Sequence, residues 1–373
     1  MGLKASAEIK ADIAARGATP AALPTGATLL VDFEAVWRPY VAVAKDADAA
    51  RGVPARMIAE LRRTFAPARI VFMMESAGVP AEKGAVHARR YVRELPAAEQ
   101  ARIVHTIASA STAPIPAGGE LVKNRAVLAH LREDFIRSLG GVEGVEVVVA
   151  GDAEVTYRPG AAPASRTPAR ALPGEGEFKL AAWAPREAVA IAYTRDTDAI
   201  LSMLLGLPPG RADGTLFLRV GDVTVDVAVL ARAITAQMPL DLWTLKWLMC
   251  GTDYLKNPPK LGVKRLLAAF DAFGARALAS SVRRDGPVVS LDAAAVACYI
   301  TLLYKDPLVF SAKRARSGMS AADEFFVQNP AATTKDCLVS LFGDACVGED
   351  ALEYAADLAF NVSYFFAVFD PYI

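Results

Sequence analysis

Ala188-Val189-Ala190-Ile191-Ala192-Tyr193-Thr194-Arg195-Asp196-Thr197-Asp198 is the stretch on which the reading of this chain turns. Its apolar first half reads as a short buried strand. Two carboxylates, two residues apart, follow just past the end of that strand. In an open α/β sheet the carboxyl edge is where ligands bind. Two more apolar strands end in acids in the same way, Leu29-Leu30-Val31-Asp32 and Ile70-Val71-Phe72-Met73-Met74-Glu75. A further pair, Glu175 and Glu177, opens an expected helix, and nineteen residues separate Glu177 from Asp196. These acids are expected to converge on one divalent-metal site.

Composition narrows the classes. The chain has 373 residues, 53% of them hydrophobic and 8% aromatic, which is globular and large enough for a sizeable core. Lys and Arg number 41 and Asp and Glu 41, so the chain lacks the basic balance usual in nucleic-acid binders. A neutral total still accommodates an acidic metal cluster on one face and basic residues on another. No apolar run is long enough to span a bilayer, and the first residues lack the continuous apolar core of a secretory signal, so no membrane partner is expected. Cys250, Cys298, Cys337 and Cys346 show no Cys-x-x-Cys spacing, and three of them fall in apolar helical stretches. Reduced, buried thiols and an intracellular location follow. His87, His105 and His130 are not spaced as metal ligands, which argues against zinc.

Taken in order, strands are expected at 29–33, 69–74, 145–150 and 188–194, and a hairpin at 215–227 around Gly221-Asp222. Helices are expected at 58–65, 175–183, 200–205, 227–236, 240–250 and 264–270. Pro39 argues against helix before it, although a helix could start there. Residues 80–140 read as two or three helices with a loop at 113–119, and carry Lys83, Arg89, Arg90, Arg93, Arg102, Lys123, Arg125, Arg132 and Arg137. Taken alone, those charges read as a solvated helical face. Residues 157–174 read as an exposed loop, and the chain from about 285 as mostly helix. Strands alternating with helices predict an α/β fold, a three-layer sandwich around a mostly parallel central sheet.

The acids suit one chemistry. Magnesium and manganese prefer hard oxygen ligands. Phosphodiester hydrolysis is served by two such ions roughly 4 Å apart. Two divalent ions need several carboxylates, and strand ends and helix starts from distant parts of the chain can supply them without crowding one loop. Any one of these acids alone is more often a cap or a surface charge; the joint pattern points to metal.

The motifs resemble those of the flap-endonuclease family of structure-specific 5′ nucleases with a PIN-like fold, over roughly residues 1–275. The family opens with Met-Gly and ends its first strand in Asp, here Asp32. It has an acid after the second strand, here Glu75, and a Glu-x-Glu pair opening a helix, here Glu175 and Glu177. Asp-x-Asp follows at the same distance as in the family, here Asp196 and Asp198. Gly-Ser-Asp-Tyr precedes a helix-turn-helix, here Gly251-Thr252-Asp253-Tyr254. The resemblance implies that these seven acids hold two Mg2+ or Mn2+ ions. It places Lys83 and Arg90, seven residues apart, on the scissile phosphate, with Asp196 central to catalysis. It implies a helical arch over about 76–140, a helix-turn-helix at about 250–272, and nucleic-acid contacts by Arg89, Arg93, Lys260, Lys264 and Arg265. Trp37 or Tyr40 is a candidate to stack on an unpaired base, with core packing the equal alternative. Residues 1–280 are expected to form the PIN-like nuclease domain and 281–373 a helical extension packed on it.

The chain departs from the family at several places. Glu75 stands for an Asp and Ser76 for the following Gly, and Lys260-Leu261-Gly262 lacks the first glycine of a Gly-x-Gly turn. Asp152 and Glu154 form a second acid-x-acid pair, disfavoured because its distance to Asp196 does not fit. The divergence is similar to that of viral branches of the family, including poxvirus homologues involved in recombination and herpesvirus host-shutoff RNases. The expected partner is flap, nicked or branched DNA, met by a monomer in the nucleus or at a site of DNA replication, in repair or recombination. RNA cleavage of the host-shutoff type and a catalytically inactive protein-interaction scaffold are the alternatives.

Overall fold

The computed structural model describes residues 3–74, 93–109, 111, 114–139, 142–150, 154–157, 164–167, 176–252, 255–285, 288–305, 319–343 and 346–367. The chain divides into two compact units, one of residues 19–228 and one of residues 1–18 with 229–373.

The unit of residues 19–228 is built on eight strands: β1 (Thr28–Asp32), β2 (Arg69–Met74), β3 (Val145–Ala150), β4 (Glu154–Tyr157), β5 (Ala164–Thr167), β6 (Ala190–Thr194), β7 (Leu216–Val220) and β8 (Val223–Asp226). They lie in the order β5-β4-β3-β2-β1-β6-β7-β8. The five central strands, β3 to β7 in that order, run parallel, and β4, β5 and β8 add antiparallel edges. This is the mixed α/β, mostly parallel sheet expected from the sequence. Strands β1, β2 and β6 are buried along most of both faces, which is why they read as unbroken apolar runs. Leu29, Val31, Ile70, Phe72, Met74 and Ile191 face one hydrophobic cluster. Leu30, Val71, Met73, Ala190 and Ala192 alternate with them, are buried, and stand outside that cluster.

Helices α1 (Ser6–Ala15), α2 (Phe33–Ala42), α3 (Ala47–Arg51), α4 (Val53–Phe65), α5 (Ala97–Ala108), α6 (Gly118–Leu121) and α7 (Arg125–Ser138) follow in chain order. α2 corrects the reading of Pro39, which lies inside the helix. Proline there removes one backbone hydrogen bond. The Asp32 cap and a buried face of Phe33, Val36, Trp37 and Val41 hold the helix regardless. Ile103, Ile107, Leu121, Val127, Leu131 and Phe135 from α5–α7 join the main cluster, so residues 97–138 are core helices. Of the stretch expected to form an arch, residues 76–92 lie outside the described residues. Gly118 is required by contact: a Cβ there would lie 2.0 Å from the Val41 carbonyl oxygen. A second correction concerns 157–174, where β5 pairs with β4 in place of a continuous loop.

After β5 come α8 (Gly176–Trp183) and α9 (Ala199–Leu205), which pack on each other; α8 also packs on β1 and β2, and α9 on β7.

The second unit begins with α1. Trp243 Nε1 donates to Asp12 at 3.1 Å and Lys4 N–H to the Gly251 carbonyl at 3.0 Å, which bind this helix to residues 243–251. The unit contains most of α10 (Val227–Thr235), then α11 (Leu240–Met249), α12 (Val263–Ala269), a π-helical turn at Phe270–Gly274, and α13 (Ala275–Ala277). A hairpin of β9 (Val282–Asp285) and β10 (Val288–Leu291) follows, then α14 (Ala293–Lys305), α15 (Ala321–Gln328), α16 (Thr334–Phe342) and α17 (Glu349–Ala367). Beyond 285, strand β10 precedes the helices of a stretch that reads as mostly helix. Trp243, Trp247, Phe270, Phe273, Tyr299 and Phe326 are among its largest buried side chains. Among the described residues no helix is long and apolar enough to cross a membrane.

Candidate metal centre

The sheet order creates the crevice. From β1 the chain adds β2 and β3 on one side, then returns to place β6 on the other side of β1. The two crossovers diverge, leaving a topological switch point beyond the carboxyl ends of β1 and β6. Asp32 ends β1 and caps α2, its Oδ1 accepting from Ala35 N–H at 3.3 Å. Its Oδ2 accepts from the Thr194 hydroxyl at 2.7 Å. The same hydroxyl accepts from Asp196 N–H at 3.0 Å. One fully buried threonine thus ties the acidic end of β1 to the acidic turn after β6. Asp196 is half-buried, and Thr197 and Asp198 are buried. Asp198 directly precedes α9, yet its side chain does not cap that helix.

Helix α8 closes on the same edge. Its eight residues are all buried. A Cβ on Gly176 would lie 2.4 Å from Asp32 Oδ1 and 2.8 Å from Cγ, so the helix opens directly against the Asp32 carboxylate with no room for a side chain. The partial positive charge of a helix start favours an anion there. Glu177, in this first turn, is buried. Lys179 is fully buried, and its Nζ donates to the carbonyl of Met74, the last residue of β2. Sequence reading passed over Lys179; a lysine inside the otherwise apolar run Phe178-Lys179-Leu180-Ala181-Ala182-Trp183 is the signal that marks it.

Of the seven expected metal ligands, Asp32, Glu177, Asp196 and Asp198 lie around this edge, while Glu75, Glu175 and Asp253 fall outside the described residues. Carboxylate oxygens are the hard donors a divalent ion of the magnesium type prefers, and Asp32, Glu177 and Asp198 are buried. Among the described residues alone, no group of three or more His, Cys, Asp or Glu could hold a metal ion.

The nucleic-acid candidates divide differently. Lys83, Arg89 and Arg90 fall outside the described residues. Arg93 is exposed, as are Lys260, Lys264 and Arg265 in the other unit. Lys260 holds a left-handed backbone with φ 62°, a geometry that favours glycine. Trp37 is a correction. Its ring is 2% exposed and stacked on Phe33 at 5.0 Å, so it is core and presents no face to a base. Tyr40 is half-buried, and burial with a hydrogen bond to Glu60 raises its phenol well above the usual range. Arg102, Lys123 and Arg125 pair with Glu99, Glu120 and Glu94 toward solvent, while Arg132 pairs with the buried Glu34. Cys250, Cys298 and Cys337 are buried, Cys346 is exposed, and burial pushes the Cys250 thiol up to about 12.

No family model matches the chain. No curated protein matches it either. Among solved structures it is similar to the T5 D15 protein co-crystallised with metal ions, at 10% identity and a TM-score of 0.34, over 90% of this chain and 99% of that one. It is similar also to a bacteriophage T5 D15 flap endonuclease variant in a pseudo-enzyme–product complex with DNA and metal ions, at 10% identity and a TM-score of 0.35, with the same coverage.

Proposed function

We propose that this chain is a nuclease, a divalent-metal-dependent phosphodiesterase acting on flap, nicked or otherwise branched DNA near a 5′ end. The observation that carries the reading is the Thr194 hydroxyl held between Asp32 and the Asp196 turn, beneath a helix that opens on Asp32 and carries Glu177. Asp32 and the Asp196 turn lie at a switch point, where ligands bind in sheets of this kind, and the first turn of α8 packs beside Asp32.

Asp32, Glu177, Asp196 and Asp198, joined by Glu75, Glu175 and Asp253, would hold two Mg2+ or Mn2+ ions. Such ions, when bound, lower the pKa of water and stabilise the leaving oxygen of an in-line displacement. The chain's own residues set the geometry. Thr194 fixes the rotamer of Asp32, and α8 sets the depth of Glu177. Lys83 and Arg90 contact the scissile phosphate, and Arg89, Arg93, Lys260, Lys264 and Arg265 contact the strand backbone.

The test is cleavage of labelled flap, nicked, single-stranded and RNA substrates in Mg2+ or EDTA, by the full chain and by Asp196→Asn. The reading expects the flap substrate to be cut in Mg2+ only, and Asp196→Asn to fall to background. An Asp196→Asn protein that cuts like its parent refutes it. Cleavage confined to RNA would favour a host-shutoff-type RNase. The lack of a three-donor group among the described residues favours a non-catalytic scaffold as the second reading, and inactivity on every substrate would support it.

A further inference from the structure

Lys179 is a cation that the proposed reaction does not use. It sits on α8 two residues after Glu177, with no exposed surface. Its ammonium donates to the Met74 carbonyl, and Met74 directly precedes Glu75 in the chain. Gly176 and Lys179 stand three apart, so they share one face of the helix. That is the face Gly176 turns to the Asp32 carboxylate. Met74 is also the residue after Met73, the register partner of Asp32. The ammonium therefore lies at the tips of β1 and β2, on the edge that holds buried Asp32, Glu177 and Asp198. Lysine is almost never fully buried unless paired, and buried carboxylates need compensation just as much.

We propose that Lys179 is a positioning residue, a resident cation of this acidic pocket. It ties the end of β2 to the helix bearing Glu177. It also offsets carboxylate charge, so that the pocket is assembled before any divalent ion arrives. The proposal rests on reading the pocket as a metal centre.

The experiment compares full-length parent, Lys179→Gln, Asp32→Asn and the double variant by thermal melting in EDTA and in excess Mn2+. Lys179→Gln keeps a donor for Met74 and removes the charge. In EDTA it should melt several degrees below the parent, and the double variant should lose less than the two singles combined, because removing the carboxylate's charge relieves loss of the ammonium. In Mn2+ the gap between Lys179→Gln and the parent should narrow, the ion replacing the missing charge. If Lys179→Gln does not fold in EDTA, Mn2+ should restore it. Additive losses, or a gap left at equal size by Mn2+ that does stabilise the parent, overturn the proposal and leave Lys179 a packing residue. Should Mn2+ shift neither parent nor variant, the metal reading fails, while the coupling to Asp32 in EDTA still decides the role of Lys179.

Discussion

Thr194 has two duties at one oxygen: its hydroxyl donates to Asp32 and accepts from the amide of Asp196. Both partners lie in a region where an unmade hydrogen bond is costly, because Thr194 is fully buried. Thr194→Val keeps the shape and removes both bonds. It should lower stability by about 1–3 kcal/mol, the usual penalty for stranding buried polar groups, as read by denaturant unfolding. It should also weaken Mn2+ binding by calorimetry, since Asp32 loses its rotamer lock. Unchanged Mn2+ affinity in Thr194→Val would detach the threonine from the metal centre. At this scale Asp32, Asp196 and Asp198 were legible as acids at strand ends, because carboxylates stand out against apolar runs. Thr194 was not, since nothing local marks a hydroxyl as buried, and Lys179 was passed over although its place in an apolar run marks it. Trp37 shows the reverse limit: an aromatic beside an acidic strand end reads equally as a base platform or as core, and burial alone decides.

At the scale of elements, strands with continuous apolar runs were readable because both their faces are covered. β5, Ala164-Ser165-Arg166-Thr167, has no apolar run and exists as an antiparallel addition to an edge, so its composition reads as loop. α2 was obscured by a local rule about proline that the Asp32 cap and a buried face override. Caps also yield a pH dependence. In α16, Asp336 accepts from both the amide and the hydroxyl of Thr333, which hold its carboxyl below the usual range. A carboxylate whose folded pKa is depressed adds stability above its unfolded value and loses it as pH falls through the folded value. Asp336→Asn should therefore reduce hydrogen-exchange protection of the 334–342 amides at neutral pH. The difference from the parent should close under acid conditions. A difference that stays constant from neutral to acid pH would assign the cap to the Thr333 hydroxyl alone.

At the scale of the whole molecule, two units are assembled from discontinuous chain. Helix α1 joins residues 229–373 through Trp243, Asp12 and Lys4, a pairing across more than two hundred residues that no local pattern announces. The sheet of residues 19–228 brings Asp32, Glu177, Asp196 and Asp198 to one edge although they span well over a hundred residues. Such convergence was inferable only from the alternation of strands and helices, which fixes a parallel sheet and hence a common carboxyl edge. The central claim is that this edge takes divalent ions. Anomalous diffraction from crystals soaked in Mn2+ tests it most directly. The account predicts a strong peak among the carboxylates of Asp32, Glu177 and Asp196; a saturating soak that leaves that position without a peak would contradict it.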